Sequence, residues 1–369
     1  MTVSSGPGAD HGVTTETVMP DLPARPDLNQ LRHQAKDLLR AAQRGDSGAV
    51  ARIRAVSGRI ILSSAQLALA REYGFASWAK LKLEVERRDI LNSRDLSRLT
   101  RLLAGHPELA TTEMEHWSDR QRGEPLGYIT MMRFNHDRLG LPRELPGTGA
   151  IARALIQAGA PADGRPGDKE TPLITAASSG DADVARVLIQ AGADIEAVSA
   201  PDSGGAPSCN ALEHAAVFGM TEVLDVLVAA GARITSLEQA AAAGDIGGWP
   251  LARFTRQSRI RALVFAADHQ RLDVIDQLIE AGTPVNEADA EWGRLPLHTA
   301  AGNGRPASVR RLLAHGADPN LRDPTHHRTP LEECQQNRYP GSPAHDEIEA
   351  ILWPLTLNGD TQTSHPPGS

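Results

Sequence analysis

Leu295-Pro-Leu-His-Thr-Ala-Ala301 opens a stretch that continues through Leu312-Leu313 and closes on Gly316-Ala-Asp-Pro-Asn320. Worked outward, this stretch recurs. Pro/Ala-Leu anchors stand at Pro172, Ala211, Ala262 and Pro296, and each is followed 20 residues later by a Gly-Ala or Gly-Thr pair, at Gly192, Gly231, Gly282 and Gly316. Four residues after each anchor comes an alanine pair: Ala176-Ala177, Ala215-Ala216, Ala266-Ala267 and Ala300-Ala301. Sixteen residues after it comes a leucine with a large apolar neighbour: Leu188-Ile189, Leu227-Val228, Leu278-Ile279 and Leu312-Leu313. Identity and spacing recurring together mark a repeat architecture.

The physical reading is two short antiparallel helices per unit. The alanine pair lets the first helix come close to its neighbours, and the apolar pair fills the seam between layers. Gly192 and its equivalents can take the left-handed conformation that ends a helix. Pro172 is tolerated in a first turn, where its missing N–H costs no intrahelical bond, and Thr171 is placed to cap that helix.

Thr171-Pro-Leu-Ile-Thr-Ala-Ala177, Leu295-Pro-Leu-His-Thr-Ala-Ala301 and Thr329-Pro-Leu-Glu332 resemble the Thr-Pro-Leu-His-x-Ala-Ala signature of the ankyrin repeat. Gly192-Ala-Asp-Ile195 and Gly316-Ala-Asp-Pro-Asn320 resemble its close. The resemblance covers about residues 124–353 and implies an all-α solenoid of helix-turn-helix units with hairpin-like loops. Only His298 keeps the signature histidine, and the unit at Ala262 keeps neither Thr nor Pro.

The expected organisation is a disordered tail over 1–26, a basic helical leader over 27–90, a connecting helix over 91–118, about six irregular repeats over 119–356 and a tail over 357–369. In the leader, Leu28, Leu31, Ala35, Leu38, Leu39 and Ala42 step by three and four, which marks an amphipathic helix. Ala65 to Lys82 reads as helix, Gly turn, helix, with Tyr73, Phe75 and Trp78 clustered. Leu96, Leu99, Leu102 and Leu103 mark a joining helix that ends at His106-Pro107. This small helical domain resembles the leader found before many bacterial ankyrin-repeat proteins. Three insertions break the repeat pattern, at 135–149, 199–209 and 233–259. The last reads as a degenerate repeat that lost its second half, or as a short helical insertion. Ile348, Ile351 and Leu352 are expected to form a closing helix.

Composition narrows the function. Of the 369 residues 40% are hydrophobic and only 4% aromatic, which suits thin helices packed in layers. Two cysteines, Cys209 and Cys334, cannot make a disulfide framework, so a reducing, cytoplasmic setting is expected. Met1 to Pro26 has no apolar run to serve as signal or anchor. No stretch approaches the roughly 18 apolar residues of a membrane span, so no membrane partner is expected. The net charge of −8 is uneven: residues 28–89 hold 12 Lys+Arg against 6 Asp+Glu, so the rest of the chain carries the acid excess.

Stacked units leave a concave surface of loop tips and first helices, so the expected function is recognition of a protein partner, without catalysis and without a cofactor. Candidate contacts are Trp292 and Arg294 on one finger, Asp202 on another, and Trp249, Arg253 and Phe254 in the long insertion. A second reading uses Arg32, Lys36 and Arg40, spaced i, i+4, i+8 on one helix face, to meet nucleic-acid phosphates. Against it stand a solvated face or docking onto acidic repeats, and the lack of an aromatic-interleaved groove. A third reading builds a small-molecule site from His136, Asp137 and Glu144 in the first insertion.

Other motifs read as structural. Gly147-Thr-Gly149-Ala-Ile-Ala152 matches a dinucleotide pattern but follows no strand and sits in no βαβ unit. His326 and His327 with His345, Asp346 and Glu347 are the best metal candidates, yet adjacent histidines point apart and no His-x-x-x-His spacing accompanies them. Cys334 falls where other units carry alanine and reads as a buried thiol.

Overall fold

The computed structural model describes residues 22, 23, 25–115 and 122–356. Its helices follow the spacing laid out above, and the all-α expectation holds apart from one tiny hairpin. Two units are distinguished: one reaches Leu102 and takes in Met114–Gly123, and the other holds Leu103–Glu113 and the chain from Glu124 onward.

The first unit contains α1 (Leu28–Gln43), α2 (Ser47–Arg54), α3 (Leu62–Glu72), α4 (Trp78–Ser93) and the start of α5 (Leu96–Gly105). It also holds a hairpin of β1 (Met114–Glu115) with β2 (Arg122–Gly123), paired antiparallel. The side chain of Asp27 caps α1 by accepting from the amides of Asn29 and Gln30. Leu31, Ala35, Leu69, Ala70, Leu81 and Val85 form one apolar cluster, against which Tyr73, Phe75 and Trp78 pack. Leu38, Ala42, Ile53, Ala65 and Ala68 form another. Of the segment read as a disordered tail, Leu22 packs into the first cluster. Residues 1–21, 24 and the tail at 357–369 lie outside the described residues.

Helix α2 was not anticipated, and neither was the charge buried on α4. Glu84 lies there between two buried arginines, accepting from Arg87 Nε at 3.0 Å and Arg88 Nε at 2.9 Å. Burial presses the Arg87 pKa down even though Glu84 opposes the shift. Three charges clustered on one helical face look like a solvated stripe in sequence, and only the packing shows that they lie inside.

The second unit is a stack of helix pairs. The first helices are α6 (Pro125–Thr130), α8 (Pro172–Ser179), α10 (Ala211–Val217), α13 (Arg256–Asp268), α15 (Pro296–Gly302) and α17 (Pro330–Asn337). Their partners are α7 (Thr148–Gln157), α9 (Ala182–Gln190), α11 (Thr221–Ala229), α14 (Leu272–Glu280), α16 (Pro306–Ala314) and α18 (Pro343–Leu352). Thr171 caps α8 through the amide of Ile174, and Gly192, Gly231, Gly282 and Gly316 have φ of 88°, 91°, 82° and 80°, as their role at helix ends requires. The closing helix around Ile348 and Leu352 is α18.

First helices stack on first helices in the order α6, α8, α10, α12 (Leu237–Ala243), α13, α15, α17. The alanine pairs carry this stack: Ala176, Ala177, Ala215, Ala266, Ala267, Ala300 and Ala301 are all at 0% exposure. In the second row, α7 meets α9, α9 meets α11, α14 meets α16 and α16 meets α18. The leucines of the repeat, Leu188, Leu227, Leu278 and Leu312, fill the seam between the rows and are likewise fully buried. Gly149 of the dinucleotide-like pattern has a packing role. A Cβ there would come within 2.9 Å of the Asp183 carbonyl oxygen, so the glycine is what lets α7 lie against α9.

The insertion at 233–259 is a half-repeat. Helix α12 (Leu237–Ala243) occupies a first-helix position between α10 and α13, with Leu237, Ala240 and Ala241 buried. In place of a second helix the chain makes a short 3-10 turn at Leu251–Arg253. The insertion at 135–149 is a chain of turns rooted in the core by Leu139 and Leu145, both at 0% exposure.

Because the alanine pairs set the helix spacing, Ala300→Leu should destabilise the repeats by about 1–3 kcal/mol through overpacking. Urea unfolding of the full chain would read this as a lower midpoint, while the equally conservative Ala314→Leu at the end of α16, away from the alanine stack, should change it little.

Candidate partner-binding surface

Three of the loops between units, the fingers, are each built around one buried side chain. Asp289 is 1% exposed. Its carboxylate accepts from the amides of Glu291 at 3.1 Å, Trp292 at 2.9 Å and Arg294 at 2.8 Å, while its own amide donates to the Arg294 carbonyl at 2.9 Å. Asp323 repeats the arrangement one unit later, accepting from Thr325, His326 and Arg328 at 2.9, 2.6 and 2.8 Å. In both fingers the fourth residue after the aspartate, Gly293 or His327, is left-handed, at φ 68° and 57°. A carboxylate that receives three amide protons replaces water as the partner of a tight loop and fixes its shape. The amides of His326, Arg328 and Thr325 correspondingly hold the Asp323 carboxyl below its ordinary range, against the opposing effect of its burial.

The sequence reading passed over these aspartates, although a signal existed. Asp289 and Asp323 each stand seven residues before the anchor prolines Pro296 and Pro330. In the insertion at 199–209 a serine takes the place. Ser199 Oγ donates to the Ala206 carbonyl at 3.0 Å and accepts from the Cys209 amide at 3.2 Å, and Val198 bridges Asn210 across the loop base.

On this frame, Trp292 is held and yet 39% exposed. Arg294 lies over its ring at 5.0 Å and Arg261 at 5.8 Å, and the Phe265 ring centroid is 6.0 Å away. Such cation–π contacts contribute about 0.5–1 kcal/mol each at exposed sites and orient the indole. Asp202 is exposed on the extended finger and pairs with Lys169 Nζ at 2.8 Å, which keeps its carboxyl below the usual range. Val198, 61% exposed, adds apolar surface at the base of that finger. Trp249 and Phe254 sit apart from these. Their rings are 5.8 Å from each other and both pack against the core below the half-repeat, leaving Arg253 exposed between them in sequence.

The other candidates are dispersed. His136 Nε2 pairs with its exposed neighbour Asp137 at 3.2 Å and Glu144 is exposed, so no enclosed set of catalytic groups is formed from these three. His345 is buried, donating from Nε2 to the Gly302 carbonyl at 3.0 Å, whereas Asp346 pairs with Arg338 and Glu347 with Arg310. His326 instead comes near Asp323 and Glu333, but Asp323 is committed to its finger amides and Glu333 pairs with Arg328 at 3.2 Å. Cys334 is fully buried and burial pushes its thiol up to about 11, the opposite of activation.

In the first unit Arg32, Lys36 and Arg40 are exposed on α1, with Arg40 paired to Asp37 at 3.0 Å. The groove of about 690 Å³ beside this face is lined by Asp37, Asp46 and Glu72, and its one cation, Arg52, is taken by Glu72 at 2.7 Å. An acidic groove repels phosphate.

Three histidines join units from within. His269 donates from Nε2 to the Ala216 carbonyl at 3.0 Å and accepts from Thr221 Oγ at 3.0 Å on Nδ1. His298 donates to the Arg328 carbonyl at 2.9 Å, and His214 pairs with Ser178 Oγ at 2.8 Å. Burial lowers the pKa of all three, so the neutral form is the folded one. The unfolded chain therefore takes up protons first, near the ordinary histidine value of about 6.5, and stability falls as pH drops below it. The full chain should unfold at lower urea at pH 5.5 than at pH 7.5. His269→Gln, which keeps a donor for Ala216 and cannot titrate in this range, should flatten that dependence.

Comparison with known proteins bears on these repeats. Residues 147–238 and 252–341 match the family model described as ankyrin repeats (3 copies). The unmatched stretch between the blocks is where the second helix of the half-repeat is missing. Human 2-5A-dependent ribonuclease is 43% identical over 60 residues, 16% of this chain and 8% of that protein. The ankyrin repeat and KH domain-containing protein mask-1 of Caenorhabditis elegans is 26% identical over 261 residues, 67% of this chain and 9% of that protein. The chain thus spans less than about a tenth of the length of these relatives. Among solved structures, the human ASB11 ankyrin repeat domain aligns with a TM-score of 0.36 at 20% identity, covering 78% of this chain and 99% of that one.

Proposed function

Residues 147–238 and 252–341 of this chain are ankyrin repeats, and from that premise we propose that the protein is a non-catalytic scaffold that binds a protein partner through its fingers and first helices. The observation that carries this reading is the finger at 289–294. A buried carboxylate accepts three amide hydrogen bonds that fix the loop carrying Arg294 and the exposed Trp292, and Arg261 of α13 lies over the same indole. Tryptophan and arginine held rigid at a surface are the residue types on which binding energy concentrates, and pre-ordering them removes part of the entropy cost of association.

In this reading Trp292 and Arg294 form the central contact, with Asp202 on the extended finger and Arg253 on the turn of the half-repeat. Trp249 and Phe254 support Arg253 from below. A reducing compartment suits the two free thiols, Cys209 and Cys334, so we place the protein in the cytoplasm. The likeness of the leader to that of bacterial ankyrin-repeat proteins is likewise our own reading. No helix among the described residues is long and apolar enough to cross a membrane.

The test is affinity capture from native lysate by the full chain, at low and high salt with nuclease, beside Trp292→Ala and Asp289→Ala. A protein retained at both salts and reduced at least tenfold by either variant, with the circular dichroism spectrum unchanged, is the expected result. Retention of nucleic acid alone, released by salt and by charge reversal at Arg32, Lys36 and Arg40, would move the function to the basic helix instead.

A further inference from the structure

The first insertion reaches the last repeat. Arg143, on the chain of turns after α6, lies with its guanidinium 4.0 Å from the ring centroid of Tyr339, just beyond α17. The base of the insertion is fixed far from there. Arg133 donates to the Gly180 carbonyl at 3.3 Å and meets the buried Asp181 at 3.3 Å, both at the turn between α8 and α9.

Lengths show that this contact demands a bend. From α8 to α17 the stack of first helices takes five steps, which at 8–10 Å each makes about 40–50 Å if the stack is straight. The ten residues from Arg133 to Arg143 could span at most about 35 Å fully extended. They are not extended: Asn135 and Leu139 donate to the carbonyls four residues before them, so the reach is much shorter.

The half-repeat supplies the bend, by a separate set of contacts. Arg305, after α15, donates to the Gly219 carbonyl at 2.5 Å, at the turn between α10 and α11. Three first-helix steps separate these turns, about 24–30 Å in a straight stack, more than an arginine side chain can cross. Asp268 receives the Asn303 side chain at 2.8 Å and presses on Gly219, where a Cβ would meet its carboxylate at 2.7 Å. Arg294 reaches the Val217 carbonyl at 3.4 Å, and Arg271 donates to the Ala242 carbonyl at 2.6 Å while pairing with Asp225. With one second helix missing, the blocks on either side tilt together along their turn edge, and polar groups close the gap.

We propose that the two irregular segments work as a pair: the half-repeat at 237–255 bends the repeat stack, and the insertion at 131–147 is a clasp that holds the bend by docking Arg143 on Tyr339. Tyr339 is backed for this role by His345, edge-on at 5.7 Å, which is itself tied to Gly302 and Ser342. The clasp fixes the spacing of the fingers, and its release is the motion open to this fold, because a cation–π contact at an exposed site is weak enough to exchange.

Pulsed electron-spin distance measurement on the full chain tests this, with Cys209→Ser to remove the half-exposed thiol and spin labels on Asp137→Cys and Gln336→Cys, both exposed positions. A single narrow distance well inside the 40 Å or so of a straight stack, unchanged by Tyr339→Phe but broadened and lengthened by Arg143→Ala and by Tyr339→Ala, is the expected result. A long distance before any clasp substitution would overturn the bend. A short distance that Arg143→Ala and Tyr339→Ala leave unchanged would overturn the clasp. Retained cooperative urea unfolding in each variant separates loss of the clasp from loss of the fold.

Discussion

The alanine pairs at the centre of the first helices are the constraint on which the rest of the structure depends. With no side chain beyond Cβ, Ala176, Ala177, Ala215, Ala266, Ala267, Ala300 and Ala301 let the four first helices that carry them stack in direct contact with their neighbours, and none of them retains exposed surface. That contact consumes the apolar faces of the helices, and the leucines behind the alanines consume the rest. Aromatic residues, only 4% of the chain, are then left chiefly to edges and fingers, where Trp292, Phe134 and Trp353 remain exposed. The core has no spare surface to offer, so the recognition we propose is placed on the fingers. Short polar loops do not hold a shape unaided, and the fingers at 199–209, 289–294 and 323–328 are each tied by an internal aspartate or serine.

Close stacking also creates a polar problem that the sequence solves locally. The carbonyls at the end of each first helix have no intrahelical donor, and the tight approach of the next unit keeps water from some of them. Side chains of the following units supply the bonds: Ser179 to the Thr130 carbonyl at 2.9 Å, His269 to Ala216 and His345 to Gly302, both at 3.0 Å. Neutral histidine fits this task because one ring nitrogen donates while the other accepts. The same residues that satisfy the helix ends therefore make the stack sensitive to acid.

Much of the fold is legible in the sequence because stacking forces the same residue types to the same offsets in every unit. The equal spacing of Pro172, Ala211, Ala262 and Pro296 from their glycines is a direct trace of helix length, and α12 is visible in Leu237 to Ala243 for the same reason. What the sequence did not reveal depends on partners distant in the chain. Arg87 and Arg88 look like solvent-facing charges until Glu84 is seen buried between them. Trp249 and Phe254 look like exposed aromatics until the core beneath them is known. The finger aspartates were legible in principle from their fixed distance to Pro296 and Pro330, but an aspartate in a loop is common, and only the amides around it show what it does. Arg143 and Tyr339, nearly two hundred residues apart, carry no local signal at all.

The central claim is that the pre-shaped fingers are the surface a protein partner meets. Hydrogen–deuterium exchange of the full chain, alone and with its captured partner, tests it most directly. The account predicts slowed exchange at residues 287–295 and 198–210, with the amides of Trp292 and Arg294 already slow in the unbound chain because Asp289 holds them. Protection confined to α1 and α2, with the fingers unchanged by the partner, would contradict it.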